Sequence, residues 1–203
     1  MTKGWAAGLG CLGLIVAGAL IILLPVWSSY NSMVTLDQDV NAKWAQVQNV
    51  YQRRADLVPN LVATVKGYAA HEREVLETVT ASRAQVGSVQ VSKDTLTNPA
   101  EFQKFQQAQA GLTSALSRLL LVVERYPDLK ANQNFLELQS QLEGTENRIA
   151  VERKRFNESA QAYNTKTKQF PAVLVARFFG FKEKQYFQAT AGSEKPPTVD
   201  FSR

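Results

Sequence analysis

Two residue types that carry much of metal and nucleophilic chemistry are nearly missing from this sequence. Cysteine occurs once, as Cys11, and histidine once, as His71. One cysteine excludes an internal disulfide framework and a cysteine-rich metal site. With one histidine, and with Cys11 inside an apolar stretch, no Ser-His-Asp or Cys-His set stands out. The glycines form no phosphate-cradling loop, and no carboxylate pair stands apart as acid and base. No catalytic residue, metal ligand or cofactor site is therefore assigned, and the chain reads as a non-enzyme. Period-two alternation of apolar residues is also missing, which excludes a sheet protein. Charge is missing from Gly4 to Leu36.

That uncharged stretch holds an apolar run from Trp5 to Trp27. At ~1.5 Å per residue it makes about 34 Å of helix, enough to cross a bilayer's hydrocarbon layer. A tryptophan stands at each end, where an amphipathic ring prefers the headgroups. A lipoprotein signal needs its apolar run before the cysteine, but Leu12 to Leu24 follow Cys11. A cleaved signal peptide is the competing reading. The exit Leu24-Pro25-Val26-Trp27 is a poor cleavage site, and Trp27-Ser28-Ser29 is the better candidate. A retained single-pass anchor is the preferred reading, and the sequence leaves open whether Cys11 is modified. Lys3 precedes the span, whereas Asp37 and Asp39 follow it before Lys43. The positive-inside bias then keeps the N-terminus in the cytoplasm and places the rest on the extracytoplasmic side of a bacterial inner membrane.

Beyond Tyr30, apolar residues recur at helical spacing. Val40, Trp44, Val47, Tyr51 and Val58 form one stripe. Phe102, Phe105, Leu112, Leu116, Leu119 and Val123 form another. Phe135, Leu142, Ile149, Phe156, Tyr163 and Phe170 are each seven apart, the spacing of coiled-coil packing. Pro59 predicts a turn or kink at Val58-Pro59. The polar stretch 87–97 reads as a loop. Asn98-Pro99-Ala100-Glu101 reads as a helix start, with Asn98 as N-cap. Pro127-Asp128 marks a further joint.

The expected fold is all-α. A transmembrane helix leads into an antiparallel up-and-down four-helix bundle with helices near 30–57, 60–86, 99–126 and 129–169. A short aromatic-rich C-terminal helix and an extended tail follow. The expected organisation is 1–29 for the N-terminus and anchor, 30–190 for the bundle and 191–203 for the tail. Nothing between Val26 and Leu36 is a strong stop, so the sequence leaves open whether the first bundle helix continues the anchor without a break.

Several motifs carry a resemblance to a known family. They include Tyr30-Asn31-Ser32-Met33-Val34, Trp44-Ala45-Gln46-Val47, and Gln52-Arg53-Arg54-Ala55-Asp56-Leu57-Val58-Pro59-Asn60-Leu61-Val62. They continue with Thr64-Val65-Lys66-Gly67-Tyr68-Ala69-Ala70-His71-Glu72, Tyr126-Pro127-Asp128-Leu129-Lys130-Ala131, Arg155-Phe156-Asn157, Ala162-Tyr163-Asn164, Phe170-Pro171 and Phe179-Gly180-Phe181. In this order, over nearly the whole chain, the sequence closely resembles the LemA family of bacterial membrane proteins. The resemblance implies an N-terminal anchor on a four-helix bundle and no established enzymatic activity. One branch of the family is associated with magnetosome membranes, which brings membrane shaping or scaffolding into view.

Three places invite a sharper reading. His71-Glu72-Arg73-Glu74-Val75 begins like the zinc-protease helix, but that motif needs a second His at position 75. The plainer reading is a helix-surface histidine among charges. Arg54 falls in the Val40 and Val47 register, so its charge turns partly inward and needs a partner. Arg53, Arg54, Asp56, Pro59 and Asn60 form either a structural clasp at a helix joint, with Asp56 bonding turn amides, or a polar contact for another subunit. Phe178, Phe179, Phe181, Lys182 and Lys184 sit in an aromatic and basic stretch. It either folds back to cap the bundle or contacts a membrane or partner. From Asn147 onward there are eleven Lys or Arg against five Asp or Glu, which suits anionic lipid or an acidic partner. Expected partners are the lipid bilayer and further copies of the chain, with another membrane protein as the alternative and no nucleic acid. The leading function is a self-associating, membrane-anchored scaffold. The alternative is an adaptor or regulator of another membrane protein, such as a protease or sensor.

Overall fold

The computed structural model describes residues 3–92 and 94–188, without the side chains of 3–13, 15, 16, 19 and 22. Six helices follow in order: α1 (Lys3–Tyr68), α2 (Arg73–Ser88), α3 (Pro99–Val123), α4 (Pro127–Lys130), α5 (Gln133–Lys168) and α6 (Ala172–Phe179). An extended segment, 181–188, completes the described chain. No strand occurs among the described residues. The expected tail, 191–203, lies outside them.

Four helices make an up-and-down bundle in two storeys. In the upper storey Val58, Leu61 and Val65 of α1 pack with Leu76 and Val79 of α2. Leu112, Leu116 and Leu119 of α3 and Phe135 and Leu142 of α5 complete it. In the lower storey Val40, Trp44, Val47 and Tyr51 of α1 meet Phe102 and Phe105 of α3 and Ile149, Phe156 and Tyr163 of α5. The shorter α2 covers only the upper storey. Below it, Leu96 of the α2–α3 loop and Phe187 of the extended segment fill its place. At the base, α6 packs on α1 and α5, with Val175 and Ala176 against Met33.

The helix starts follow their sequence signals. Asn98 caps α3 by accepting from the Ala100 and Glu101 amides, and Pro99 occupies the first turn, where a missing N–H costs nothing. Asn132 caps α5 in the same way through Phe135 N–H, at 3.1 Å.

The expected break at Val58-Pro59 does not occur. α1 runs through Pro59 and ends at Tyr68, and the chain reverses at 69–72. Proline removes the N–H that would bond the carbonyl four residues back, which is Ala55. That carbonyl instead accepts Arg83 Nε–H from α2 at 2.9 Å, so a side chain replaces the lost bond. His71, expected on a helix surface, sits exposed in the 69–72 turn. Phe170 also leaves its expected register. α5 stops at Lys168, so the seven-residue series is buried through Tyr163 and then turns out into solvent.

At the other end α1 passes through Pro25 without interruption. Trp5 and Cys11 have side chains outside the described residues. Among the described residues no helix is long and apolar enough to cross a membrane.

Candidate functional site

Among the described residues one cation is fully buried, and it lies between the two storeys. Arg54 is 1% exposed, one turn above Tyr51 and one below Val58. Its Nη1 donates to Thr113 Oγ1 at 2.8 Å and to Glu146 Oε1 at 2.9 Å. Its Nη2 donates to the Gln109 carbonyl at 3.2 Å and to Gln109 Oε1 at 2.6 Å. The guanidinium also faces the Tyr51 ring, 5.0 Å from its centroid. Only Nε lacks a partner. Two neutral residues and one carboxylate, from α3 and α5, thus enclose a cation from α1. Gln109 occupies the slot between Phe105 and Leu112 where the α3 stripe would otherwise be apolar.

The neighbours expected to share this site point elsewhere. Arg53 reaches outward, with Nη2 donating to Gln141 Oε1 at 3.4 Å. Asp56 is exposed and accepts from Gln52 Nε2 at 2.7 Å. It bonds no turn amide, because no turn exists there. Pro59 and Asn60 are exposed on α1. Sequence position named the buried arginine but not Glu146, its counter-ion 92 residues away. Periodicity carries no signal for a pairing between distant helices.

The C-terminal aromatic stretch divides into inward and outward parts. Gly180 takes a left-handed conformation, φ 76°, which a side chain disfavours. There the chain turns back up the bundle, with Phe181 N–H bonding the Ala176 carbonyl. Two asparagines on α5 then hold the extended segment by its backbone. Asn164 accepts Lys184 N–H and donates to the Lys184 carbonyl, both at 2.8 Å. Asn157 does the same for Phe187, both at 2.9 Å. Gln185 N–H bonds the Leu96 carbonyl. These bonds satisfy backbone groups that lie on no sheet.

Phe187 enters the core against Trp44, Phe102 and Phe156, with centroids 6.0, 5.0 and 5.5 Å away. Lys184 turns inward. It pairs with Asp37 at 2.7 Å and faces the Tyr163 ring. Burial, with the nearby Asp37 charge, pushes the Tyr163 phenol up to about 12. Phe181 is half-buried, and its ring edge meets Tyr30. Phe178, Phe179 and Lys182 remain exposed.

Other candidates are ordinary. Glu72, next to His71, accepts from Tyr126 Oη and Arg125 Nη2 at 3.0 Å each. That bond raises the Tyr126 pKa. Among the described residues no group of His, Cys, Asp or Glu side chains is placed to hold a metal ion.

Comparison of the sequence with known proteins finds one family. The family model described as LemA family covers residues 43–201. A magnetosome protein, MamQ, of Magnetospirillum gryphiswaldense is 28% identical, over 91% of this chain and 74% of its own length. MamQ 2 of Paramagnetospirillum magneticum is 29% identical, over 82% and 67%. Protein LemA of Metamycoplasma hominis is 24% identical, over 79% and 69%. The matched region takes in the Arg54 clasp, the asparagine-held segment and α6, and this chain belongs to the LemA family.

Proposed function

We propose that the protein is a non-enzymatic, membrane-anchored scaffold whose bundles associate with one another. The observation that carries this reading is the unbroken course of α1 from Lys3 to Tyr68. The apolar segment from Trp5 to Trp27 and the first bundle helix are one rod, about 100 Å long at ~1.5 Å per residue. A rod of this kind transmits the orientation of its buried end to the bundle, as a flexible linker would not. On this reading the first twenty-nine residues form the cytoplasmic N-terminus and anchor, and the bundle stands on the extracytoplasmic side of the inner membrane. Leu20, Ile21, Leu23, Leu24 and Trp27 are exposed around the helix. A segment apolar on so many sides needs lipid or other copies around it. Family membership supports a membrane setting, and the near absence of histidine and cysteine supports the non-enzymatic reading.

Arg54 is, on this reading, a clasp that fixes the register of α1, α3 and α5, and not a contact for a partner. Its enclosure supports this, since a partner cannot reach it without opening the bundle. The full-length protein in a gentle detergent, measured by light scattering and imaged directly, tests the scaffold. A large, uniform particle is expected. A clean monomer overturns self-association and turns attention to an adaptor role on another membrane protein. Resistance to alkaline carbonate extraction tests the anchor separately.

A further inference from the structure

α6 is apolar on two sides. Ala172, Val175 and Ala176 face the bundle and are buried. On the opposite side Leu174 and Phe178, one turn apart, are 59 and 83% exposed, and Phe170, in the turn just before the helix, is 82% exposed. A short helix with this pattern has two apolar partners. One is the bundle, and the other does not belong to the described chain. We propose that the second is the surface of an anionic bilayer, so that α6 is an interfacial foot lying in the membrane on the bundle's side.

Three observations select lipid. The first is height. α6 packs on α1 between Val26 and Met33, a span of about 10 Å along the helix. Trp27, the bundle-side end of the apolar run, lies within that span. The outer face of α6 is therefore level with the point where α1 changes from an apolar to a mixed surface. The second is continuity. Phe179 and Phe181 close on Tyr30, with centroids 4.8 and 5.7 Å away. The exposed aromatics of α6 thus join the exposed Trp27 and Leu24 region through Tyr30.

The third is charge. Of the acids at this end, Glu183 pairs with Lys168 at 2.6 Å and Asp37 pairs with the inward Lys184, while Asp94 is exposed in the same recess as Lys182. The exposed cations Arg177 and Lys182 flank the apolar stripe. Aromatic and aliphatic side chains with basic neighbours suit the acyl–headgroup boundary of an anionic leaflet. A second copy presenting the same stripe would bring these cations together. The inference rests on the anchor reading for its geometry, and the test separates the two.

The test uses the full chain with Cys11→Ser and one cysteine introduced at a time. The variants are Leu174→Cys, Phe178→Cys, Leu20→Cys in the apolar run, and Leu121→Cys, which is exposed at the far end of the bundle. Each carries a nitroxide and is reconstituted in vesicles of phosphatidylethanolamine and phosphatidylglycerol. Collision with oxygen and with a water-soluble nickel chelate is then measured. Labels at 174 and 178 are expected to lose nickel accessibility and gain oxygen accessibility, with the reverse at 121. Nickel accessibility at 174 and 178 equal to that at 121 overturns the foot. So does shielding from both reagents with mutual broadening of the labels, which marks a second copy. The label at 20 reports on the anchor independently. If it meets nickel, the anchor reading fails, whereas lipid burial at 20 with 178 in water leaves the anchor standing and removes the foot.

Discussion

Arg54 brings a full charge to the boundary between two apolar storeys, so its energetics depend on which acceptors remain. A buried pair adds little net stability when intact, but removing one partner leaves a desolvated charge that costs much more. Glu146 supplies the only carboxylate among the four acceptor contacts. Glu146→Ala is expected to lower stability by about 2 kcal/mol, less than for a fully enclosed pair because the Glu146 side chain is 39% exposed. Adding Arg54→Met should then recover part of that loss, since no charge is left unpaired. Chemical denaturation of the two variants checks this. A double variant no more stable than Glu146→Ala would show that the stranded charge is not the source of the cost. Tyr163 gives a second check at this scale. Its phenol titrates higher in the fold than in the unfolded chain, near 12 against about 10. The stability linked to it is present in full below pH ~10 and is lost as pH rises toward 12. An alkaline titration of tyrosinate absorbance should show the Tyr163 phenol ionising late, as helicity falls, and Tyr163→Phe should remove that late step.

At the scale of elements, a side-chain bond from α2 completes the backbone bonding of α1. Arg83 matters because Pro59 is a proline. Arg83→Ala is expected to cost about 1 kcal/mol beside Pro59, by orphaning the Ala55 carbonyl. In a Pro59→Ala background the new N–H reaches that carbonyl, and the same change should cost close to nothing. A double-mutant cycle by thermal melting measures the difference, and equal costs in both backgrounds would remove the compensation. This bond also shows why the sequence misplaced the first turn. Proline is a local signal, whereas the group that neutralises it is 24 residues further on and visible only once α2 is folded back. The stripes Val40 to Val58, Phe102 to Val123 and Phe135 to Tyr163 were legible because each is carried by a single helix. Asn98 was legible because capping is local. Glu146, Gln109 and the asparagine pair Asn157 and Asn164 were not, because their partners are fixed by how helices and the returning segment meet. In the C-terminal stretch, composition marked the aromatics and bases as a group but could not divide them. Gly180 sends Phe187 and Lys184 inward and leaves Phe178 outside.

For the whole molecule, the distribution of core residues separates folding from placement. Both storeys are built from residues between Val40 and Phe187, and only the small cluster at the base reaches down to Val26. The apolar run before Val26 adds nothing to the described core. A chain beginning at Val26 is therefore expected to fold as a helical bundle with nearly the thermal midpoint of the intact protein. It should also lose carbonate-resistant membrane association. Circular dichroism and vesicle flotation read these two properties independently. The copy number of this shortened chain then locates the assembly contacts. An oligomer that survives removal of the apolar run places them on the bundle, whereas a monomer derived from an oligomeric parent places them along the run itself. Loss of helicity on truncation would mean that the bundle depends on its rod for stability, against what the placement of its core requires.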